Sequence, residues 1–240
     1  AYVVVYEDNQ TGTIDARRVT EDIYGNLALA SRVVLYTDTG GIGATYTDPA
    51  IARTALEGDD LLVVVRRQSG VGPTQGVRAK VMPYAGALPG TSMSLFNQTN
   101  TDVRTPDVDG YGNKWIVVWE QSPTSMINQS VVTMGITLAG GSLSSNGQTS
   151  VGGLAASLRA HTPSVSYGLG TSWIGYHRHS GQSSSLAMRP HDSASITPCG
   201  NLYNTIGALQ QRIVAASQLS GGDTLSEESL LVWSKNGDIE

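Results

Sequence analysis

One strand-like segment recurs five times along the chain at a nearly constant spacing. The copies start at residues 2, 61, 115, 173 and 229, so consecutive copies are 59, 54, 58 and 56 residues apart. In order they read YVVVYE, LLVVVR, WIVVWE, WIGYHR and SLLVWS. A repeat of this length is typical of architectures in which each unit is one supersecondary element.

A second landmark follows the same period. Pro49, Pro106 and Pro163 each introduce a short apolar segment and are 57 residues apart, and residues 211–214 hold the fourth place without proline. We name the proline-led segment strand A and the recurring apolar segment strand B. Strand C is predicted at 14–19, 77–82, 130–136 and 185–189, and strand D at 31–36, 92–96 and 149–154.

Four short strands per repeat, with glycine-rich connections and no helical periodicity, predict an all-β fold, specifically a β-propeller with four-stranded blades of about 55 residues. Strand B is apolar on both faces, as expected for a blade between two neighbours. The units are predicted at 1–47 (partial), 48–104, 105–161, 162–211 and 212–240 (partial), within one propeller region spanning 1–240. Because the sequence opens on strand B, we expect an incomplete set of blades from a longer chain with five or more.

Composition excludes several classes of function. The net charge is −5 and no basic run is present, which argues against nucleic-acid binding. The longest apolar runs have about five residues, whereas a membrane-spanning helix needs about 20. Charged residues make up only 15% of the chain, and with frequent Ser, Thr and Gly this favours an extracellular or cell-surface location. No cofactor is predicted.

The segments 106–108 and 115–120 together carry a resemblance to a known repeat. Pro106-Asp107-Val108 followed by Trp115-Ile116-Val117-Val118-Trp119-Glu120 resembles units of secreted and cell-surface bacterial proteins, and residues 2–8 resemble them in the first copy. The fourth copy departs from the pattern at 175–177. The resemblance implies a propeller and an extracellular setting, but it implies no activity, because a fold does not determine function.

The position that follows strand B is polar in every copy. It holds Glu7, Arg66, Glu120, Arg178 and Ser234, which would form a ring on one face of a propeller. In the fourth copy His177 and His179 share one strand face and could offer two imidazoles to a metal, with His161 as a third, but no supporting ligand spacing is present. We therefore predict no metal. The predicted binding rim comprises Glu7, Arg66, Glu120, His177, Arg178 and His179.

Other polar and aromatic residues suggest chemistry less specifically. Residues 107–113 resemble a calcium loop but lack its later acidic ligand, so a plain turn explains them better. A glycosidase would need two carboxylates, for which Glu7, Asp48, Asp107 and Glu120 are candidates. Because these acids recur at equivalent positions, a structural role is favoured and no catalytic residue is predicted. Four tryptophans are interpreted as core between blades rather than sugar platforms: Trp115, Trp119, Trp173 and Trp233.

These observations lead to a functional expectation with two alternatives. The main expectation is a non-catalytic extracellular propeller that binds or scaffolds, with a protein or a glycan as its partner, within a larger chain or assembly. The first alternative is a propeller-type glycoside hydrolase or lyase with part of its site on missing blades. The second alternative is a structural subunit of a filament or surface layer.

Overall fold

The computed structural model describes fourteen segments of the chain. They are residues 2–38, 43–53, 60–70, 74–83, 89–111, 114–123, 129–152, 158–168, 171–180, 183–191, 201–206, 211–220, 227–235 and 238–239. Every regular element in these segments is a β-strand, as the sequence predicts. Among the described residues, no helix has the length and apolarity needed to cross a membrane.

The strands form five separate antiparallel sheets, each made of strands that are consecutive in the chain. The first sheet contains β1 (Tyr2–Asp8), β2 (Thr13–Glu21), β3 (Leu27–Leu29) and β4 (Val33–Thr37). The second contains β5 (Ala44–Arg53), β6 (Asp60–Ser69), β7 (Thr74–Pro83) and β8 (Ser92–Thr99). The third contains β9 (Thr101–Tyr111), β10 (Lys114–Pro123), β11 (Ser130–Ala139) and β12 (Ser142–Gly152).

The last two sheets repeat this order. The fourth contains β13 (Leu158–Gly168), β14 (Thr171–Ser180), β15 (Ser183–His191) and β16 (Asn201–Ile206). The fifth contains β17 (Gln211–Ser220), β18 (Glu227–Lys235) and β19 (Asp238–Ile239). Strands β5, β9, β13 and β17, which are the four copies of strand A, pack side by side in chain order. Sheets that meet along their first strands are blades around an axis, so the fold is that of a β-propeller.

The hydrophobic core lies in layers between successive sheets. Strand β6 shows the principle: Val63 and Val65 pack towards the first sheet, whereas Leu62 and Val64 pack towards the third. All four side chains are fully buried. Alternate side chains of a strand point to opposite faces, so a strand covered on both faces is apolar at every position. This explains the continuous apolar run in strand B.

A bulge interrupts each of three inner strands at the same place. Asp48, Thr105 and Thr162, each immediately before a repeat proline, have positive φ angles of 53°, 45° and 47°. In all three the pairing shifts so that two residues of strand A lie opposite one residue of strand B. Positive φ is strained for a β-branched residue such as threonine, and strain of this kind occurs where surrounding structure enforces a bend. The bulges bend the inner strands at one common level of the propeller.

Candidate functional site

A polar ring lies beside these bulges. In the second, third and fourth sheets, the strand-B residue that pairs with the residue immediately before the bulge is Arg66, Glu120 and His177. Glu7 takes the corresponding position in the first sheet, because it pairs with an apolar residue near the start of strand C, as the other three do. These partners are Ile14, Val77, Val131 and Leu186. We call Glu7, Arg66, Glu120 and His177 the polar ring.

The fourth member of this ring differs from the expected one. The sequence alignment places Arg178 there, but the pairing of β13 with β14 places His177 opposite His161, and Arg178 follows one position later. The bulge sets the pairing register, and the bulge cannot be located from the apolar pattern of strand B. Ser234, the predicted fifth member, has a side chain outside the described part of the chain.

Arg66 connects two sheets at this level. Its Nη2 lies 3.2 Å from Asp102 Oδ1 and donates a hydrogen bond of 3.1 Å to Gln75 Oε1. Its Nη1 lies 3.8 Å from Asp48 Oδ2. Arg104 holds the other oxygen of Asp102, with Nη2 and Oδ2 2.5 Å apart. One network of alternating charge therefore spans the second and third sheets.

Glu120 lies opposite Arg104 in the same sheet and is only 4% exposed. Its Oε2 accepts a hydrogen bond of 3.2 Å from the Thr162 amide, and its Oε1 accepts one of 2.9 Å from Gln129 Nε2. Burial raises the pKa of the Glu120 carboxyl; the Thr162 amide and Arg104 oppose this, and Asp102 adds to it. A carboxyl that retains its proton more readily than usual has the property of a general acid.

Two carboxylates, those of Asp48 and Asp102, belong to this network, and Glu120 lies next to it, opposite Arg104. The side chain of Asp48 is 46% exposed and that of Asp102 is 18% exposed. One guanidinium, that of Arg66, contacts the carboxylates of both Asp48 and Asp102. Sequence reasoning found Asp48 and Glu120 but missed Asp102 and Arg104. The sequence did contain a signal: Asp102 and Arg104 are two residues apart just before Thr105, and residues i and i+2 of a strand share one face.

The three predicted histidines do come together. The ring centroids of His161 and His177 are 4.3 Å apart, and those of His177 and His179 are 6.4 Å apart. Burial, together with the neighbouring His161 and His179, lowers the pKa of His177 to about 4. Within the described residues, no group of three or more potential ligands is placed to hold a metal ion.

The acids of the calcium-like segment connect two sheets instead. Asp107 Oδ2 accepts hydrogen bonds of 2.9 Å from both Ser164 Oγ and the Val165 amide. Asp109 Oδ2 accepts one of 2.6 Å from the Tyr167 amide. Both carboxylates are thus bonded to the fourth sheet. Residues 112–113 of the segment lie outside the described part of the chain.

The tryptophans of strand B differ in their environments. Trp115 and Trp119 are buried between the second and third sheets, with 1% and 0% exposure, so they form no surface for stacking a sugar. Trp173 is half-buried and takes the register position of Ile116, one residue away from that of Trp115. The side chain of Trp233 lies outside the described residues.

Among the described residues, no ion pair or side-chain hydrogen bond joins Glu7 to the network described above. Glu7 is exposed on β1, at the ring position of the first sheet. Arg178 and His179 are half-buried on β14 beyond His177. Of the predicted rim, the structure therefore groups Arg66 with Glu120 through Asp102 and Arg104, and groups His177 with His179.

Comparisons with known proteins give a limited result. No model of a protein family matches the sequence, and no curated protein matches it. Among solved structures, a GH43 endo-arabinanase from Bacillus licheniformis has a TM-score of 0.44 and 14% identity, covering 80% of this chain and 71% of that chain. The native arabinanase of Bacillus subtilis has a TM-score of 0.43 and 14% identity, covering 80% and 72%. An exo-1,5-α-L-arabinanase from a bovine ruminal metagenomic library has a TM-score of 0.43 and 14% identity, covering 80% and 71%.

These similarities correct the functional expectation. A non-catalytic binding or scaffolding module is the wrong reading, because the solved structures that resemble this chain are named as arabinanases, which favours the glycoside hydrolase alternative. With 14% identity and TM-scores below 0.5, the likeness by itself assigns neither an activity nor a substrate. Function is therefore argued from the side chains of the site.

Proposed function

We propose that this chain is a propeller-type glycoside hydrolase. The observation that supports this most directly is a charged network beside a buried acid. Asp48 and Asp102 contact the Arg66 guanidinium, Asp102 also contacts Arg104, and Glu120 lies opposite Arg104. Glycosidases need two carboxyl groups held in different protonation states near one bond. The network and Glu120 together supply one exposed carboxylate beside a cation and one buried carboxyl with a raised pKa.

The environments suggest which carboxyl performs which step. Glu120, whose pKa is raised by burial, would donate a proton to the glycosidic oxygen as the bond between that oxygen and C1 breaks. Asp48, which is accessible and faces Arg66, would take a proton from the water whose oxygen attacks C1. A separate base that activates water gives inversion at C1.

Asp102 and Arg66 would serve as positioning residues in this scheme. Asp102 bonds to both guanidinium groups, so it fixes Arg66 against Asp48 and fixes Arg104 opposite Glu120. The strained bulge at Asp48 would help in the same way, because it restricts how the side chain leaves the strand. Preorganised charges of this kind need little rearrangement during the reaction.

The setting that we propose is extracellular, with a glycan as the partner. The low content of charged residues and the resemblance of the repeat to secreted and cell-surface proteins support this location. Structural polysaccharides are found there and would be accessible to such an enzyme.

The proposal is tested by incubating the protein with a panel of neutral and acidic polysaccharides and measuring the reducing ends that hydrolysis releases. We expect Glu120→Gln and Asp48→Asn to lower kcat at least about 100-fold, the usual effect of losing a general acid or base. Glu21→Gln is the matched control, because Glu21 is exposed at the end of β2, and it should retain full activity.

Two outcomes would reject this assignment. The first is the absence of new reducing ends with every polysaccharide. The second is hydrolysis that survives both substitutions. An ultraviolet-absorbing unsaturated product would identify a lyase instead, and proton NMR of the first product gives the configuration at C1.

A further inference from the structure

Four basic or imidazole side chains form a compact group on the fourth sheet. Arg159 pairs with His179 across β13 and β14, and His161 pairs with His177 two residues further along. Paired residues and residues two apart share a strand face, so all four lie on the same face. We call Arg159, His161, His177 and His179 the basic quartet.

The equivalent four backbone positions in the two preceding sheets can be found by counting from the bulge of each inner strand. In the second sheet they hold Thr45, Thr47, Arg66 and Gln68, and in the third Asp102, Arg104, Glu120 and Ser122. The basic quartet therefore occupies, one blade further round the axis, the place where the third sheet carries Glu120, the proposed general acid, and Asp102, a proposed positioning residue. A ligand that extends from those carboxylates around the axis would reach it.

The charge of the quartet differs from that of its counterparts. It contains no carboxylate, whereas the third sheet has two acids at the same four positions. Within the described part of the chain, no ion pair joins a carboxylate to Arg159. Arg159 is exposed and always charged, which makes it suited to binding an anion. The chain as a whole has a net charge of −5, so the quartet is a local site of positive charge.

The quartet is also partly preorganised. His177 is 4% exposed and lies against both other imidazoles, so it restrains His161 and His179, which remain half-buried. Arg159 is exposed, and the half-buried His161 and His179 carry imidazole groups on the same face. A guanidinium with adjacent imidazole donors matches the two oxygens of a carboxylate.

We propose that the basic quartet binds the carboxylate of a uronic acid residue, so that the substrate class of this protein is an acidic polysaccharide. Calling the bound polysaccharide a substrate rests on the proposed hydrolase function, but the binding itself does not require catalysis. Arg159 would contact the carboxylate directly, with His161 and His179 as further donors, and His177 would act as a positioning residue.

Equilibrium binding of oligogalacturonate and of its methyl ester to the full chain tests the proposal. The two ligands share one backbone and differ only in the free carboxylates. We expect the acid to bind and the ester to bind at least about tenfold more weakly, the effect of losing one charge-assisted hydrogen bond. Arg159→Gln and His161→Gln should each weaken binding of the acid by a similar factor.

Lys114→Gln is the matched control, because Lys114 is exposed at the opposite end of its strand from Glu120, and it should leave binding unchanged. The proposal is overturned if the acid does not bind, if the ester binds equally well, or if Arg159→Gln has no more effect than Lys114→Gln. Equally tight, Arg159-dependent binding of heparin would also overturn it, because that result indicates recognition of any polyanion.

The hydrolysis assay separates this inference from the proposed function. Binding of oligogalacturonate by a chain that cleaves no glycan would reject the hydrolase and retain the quartet. Cleavage of neutral glycans alone, without oligogalacturonate binding, would retain the hydrolase and reject the quartet.

Discussion

The Asp107 carboxylate bonds to the residue that replaces it in the next repeat. Ser164 lies 57 positions after Asp107, and its Oγ donates a 2.9 Å hydrogen bond to Asp107 Oδ2, which also accepts one from the Val165 amide. These hydrogen bonds join the inner strands of the third and fourth sheets. Among the described strands, none pairs with a strand of an adjacent blade, so a side chain makes this connection. Burial raises the pKa of Asp107, and these bonds oppose that shift.

We expect Asp107→Ala to lower the free energy of unfolding by about 2 to 4 kcal/mol, because it leaves two donors of the fourth sheet without their acceptor. Urea denaturation measures the loss. Asp22→Ala, which removes a carboxylate bonded only within its own exposed turn, is the comparison and should cost about 1 kcal/mol or less. Equal losses in the two variants would contradict a connecting role for Asp107.

Much of the fold can be predicted from the sequence because the two periodic landmarks are local. The apolar run 61–65 indicates a strand covered on both faces, and the structure confirms it. The register of the fourth sheet could not be predicted in this way. Trp173 resembles Trp115 in the alignment, yet Ser172 takes the position of Trp115, because the bulge at 162–163 sets the pairing.

The candidate site was harder to predict than the fold. Arg66 and Asp102 are separated by 36 residues and belong to different blades, so no local pattern joins them. A period shows which residues are equivalent, but contacts between sheets depend on which face each strand turns to its neighbour. Asp102 and Arg104 were therefore missed, although both flank a predicted strand A.

The shifted register predicts a specific ranking of core substitutions. We expect Trp119→Ala to cost about 3 to 5 kcal/mol of unfolding free energy, because Trp119 is fully buried and packs against Phe96 with ring centroids 6.1 Å apart. Tyr176, which is 3% exposed, takes the same register position in the fourth sheet, so Tyr176→Ala should be similarly costly. Because Trp173 is half-buried, Trp173→Ala should lower the free energy of unfolding clearly less, as measured by urea denaturation. A larger loss at Trp173 than at Tyr176 would show that the pairing is wrong.

Arg104→Gln should move the pH profile of the proposed hydrolysis. The positive charge of Arg104 lowers the pKa of Glu120, and Asp102 raises it. Removing Arg104 therefore raises the pKa of the acid, so the alkaline limb of kcat/KM, along which Glu120 loses its proton, should move to higher pH. Lys114→Gln provides the control for a general change in charge. If the alkaline limb does not move, the ionisation that it reports is not that of Glu120.

His177 should make stability depend on pH in the weakly acidic range. Its pKa is lowered from 6.5 to about 4 in the folded chain by burial and by the two neighbouring imidazoles, whereas the unfolded chain keeps the ordinary value. The unfolded state then binds a proton first, so the contribution present above about pH 6.5 is lost as the pH falls towards 4. Between pH 7 and 4.5, wild type should lose about 2 kcal/mol more than His177→Gln. Identical pH dependence of the two proteins in urea titrations would contradict this.

A charged cluster in the first sheet offers a double-mutant test of burial. Asp15 has a fully buried side chain, and Arg32 Nη1 lies 3.3 Å from its Oδ2 and 3.2 Å from Asp8 Oδ2. We expect Arg32→Gln to lower the unfolding free energy by about 2 to 3 kcal/mol, because it leaves a buried carboxylate without its cation. Adding Asp15→Asn should recover part of that loss, whereas adding Asp8→Asn should recover less, because Asp8 is partly exposed. Since these residues are in direct contact, additive effects of Arg32→Gln and Asp15→Asn would show that the ion pair does not stabilise the fold.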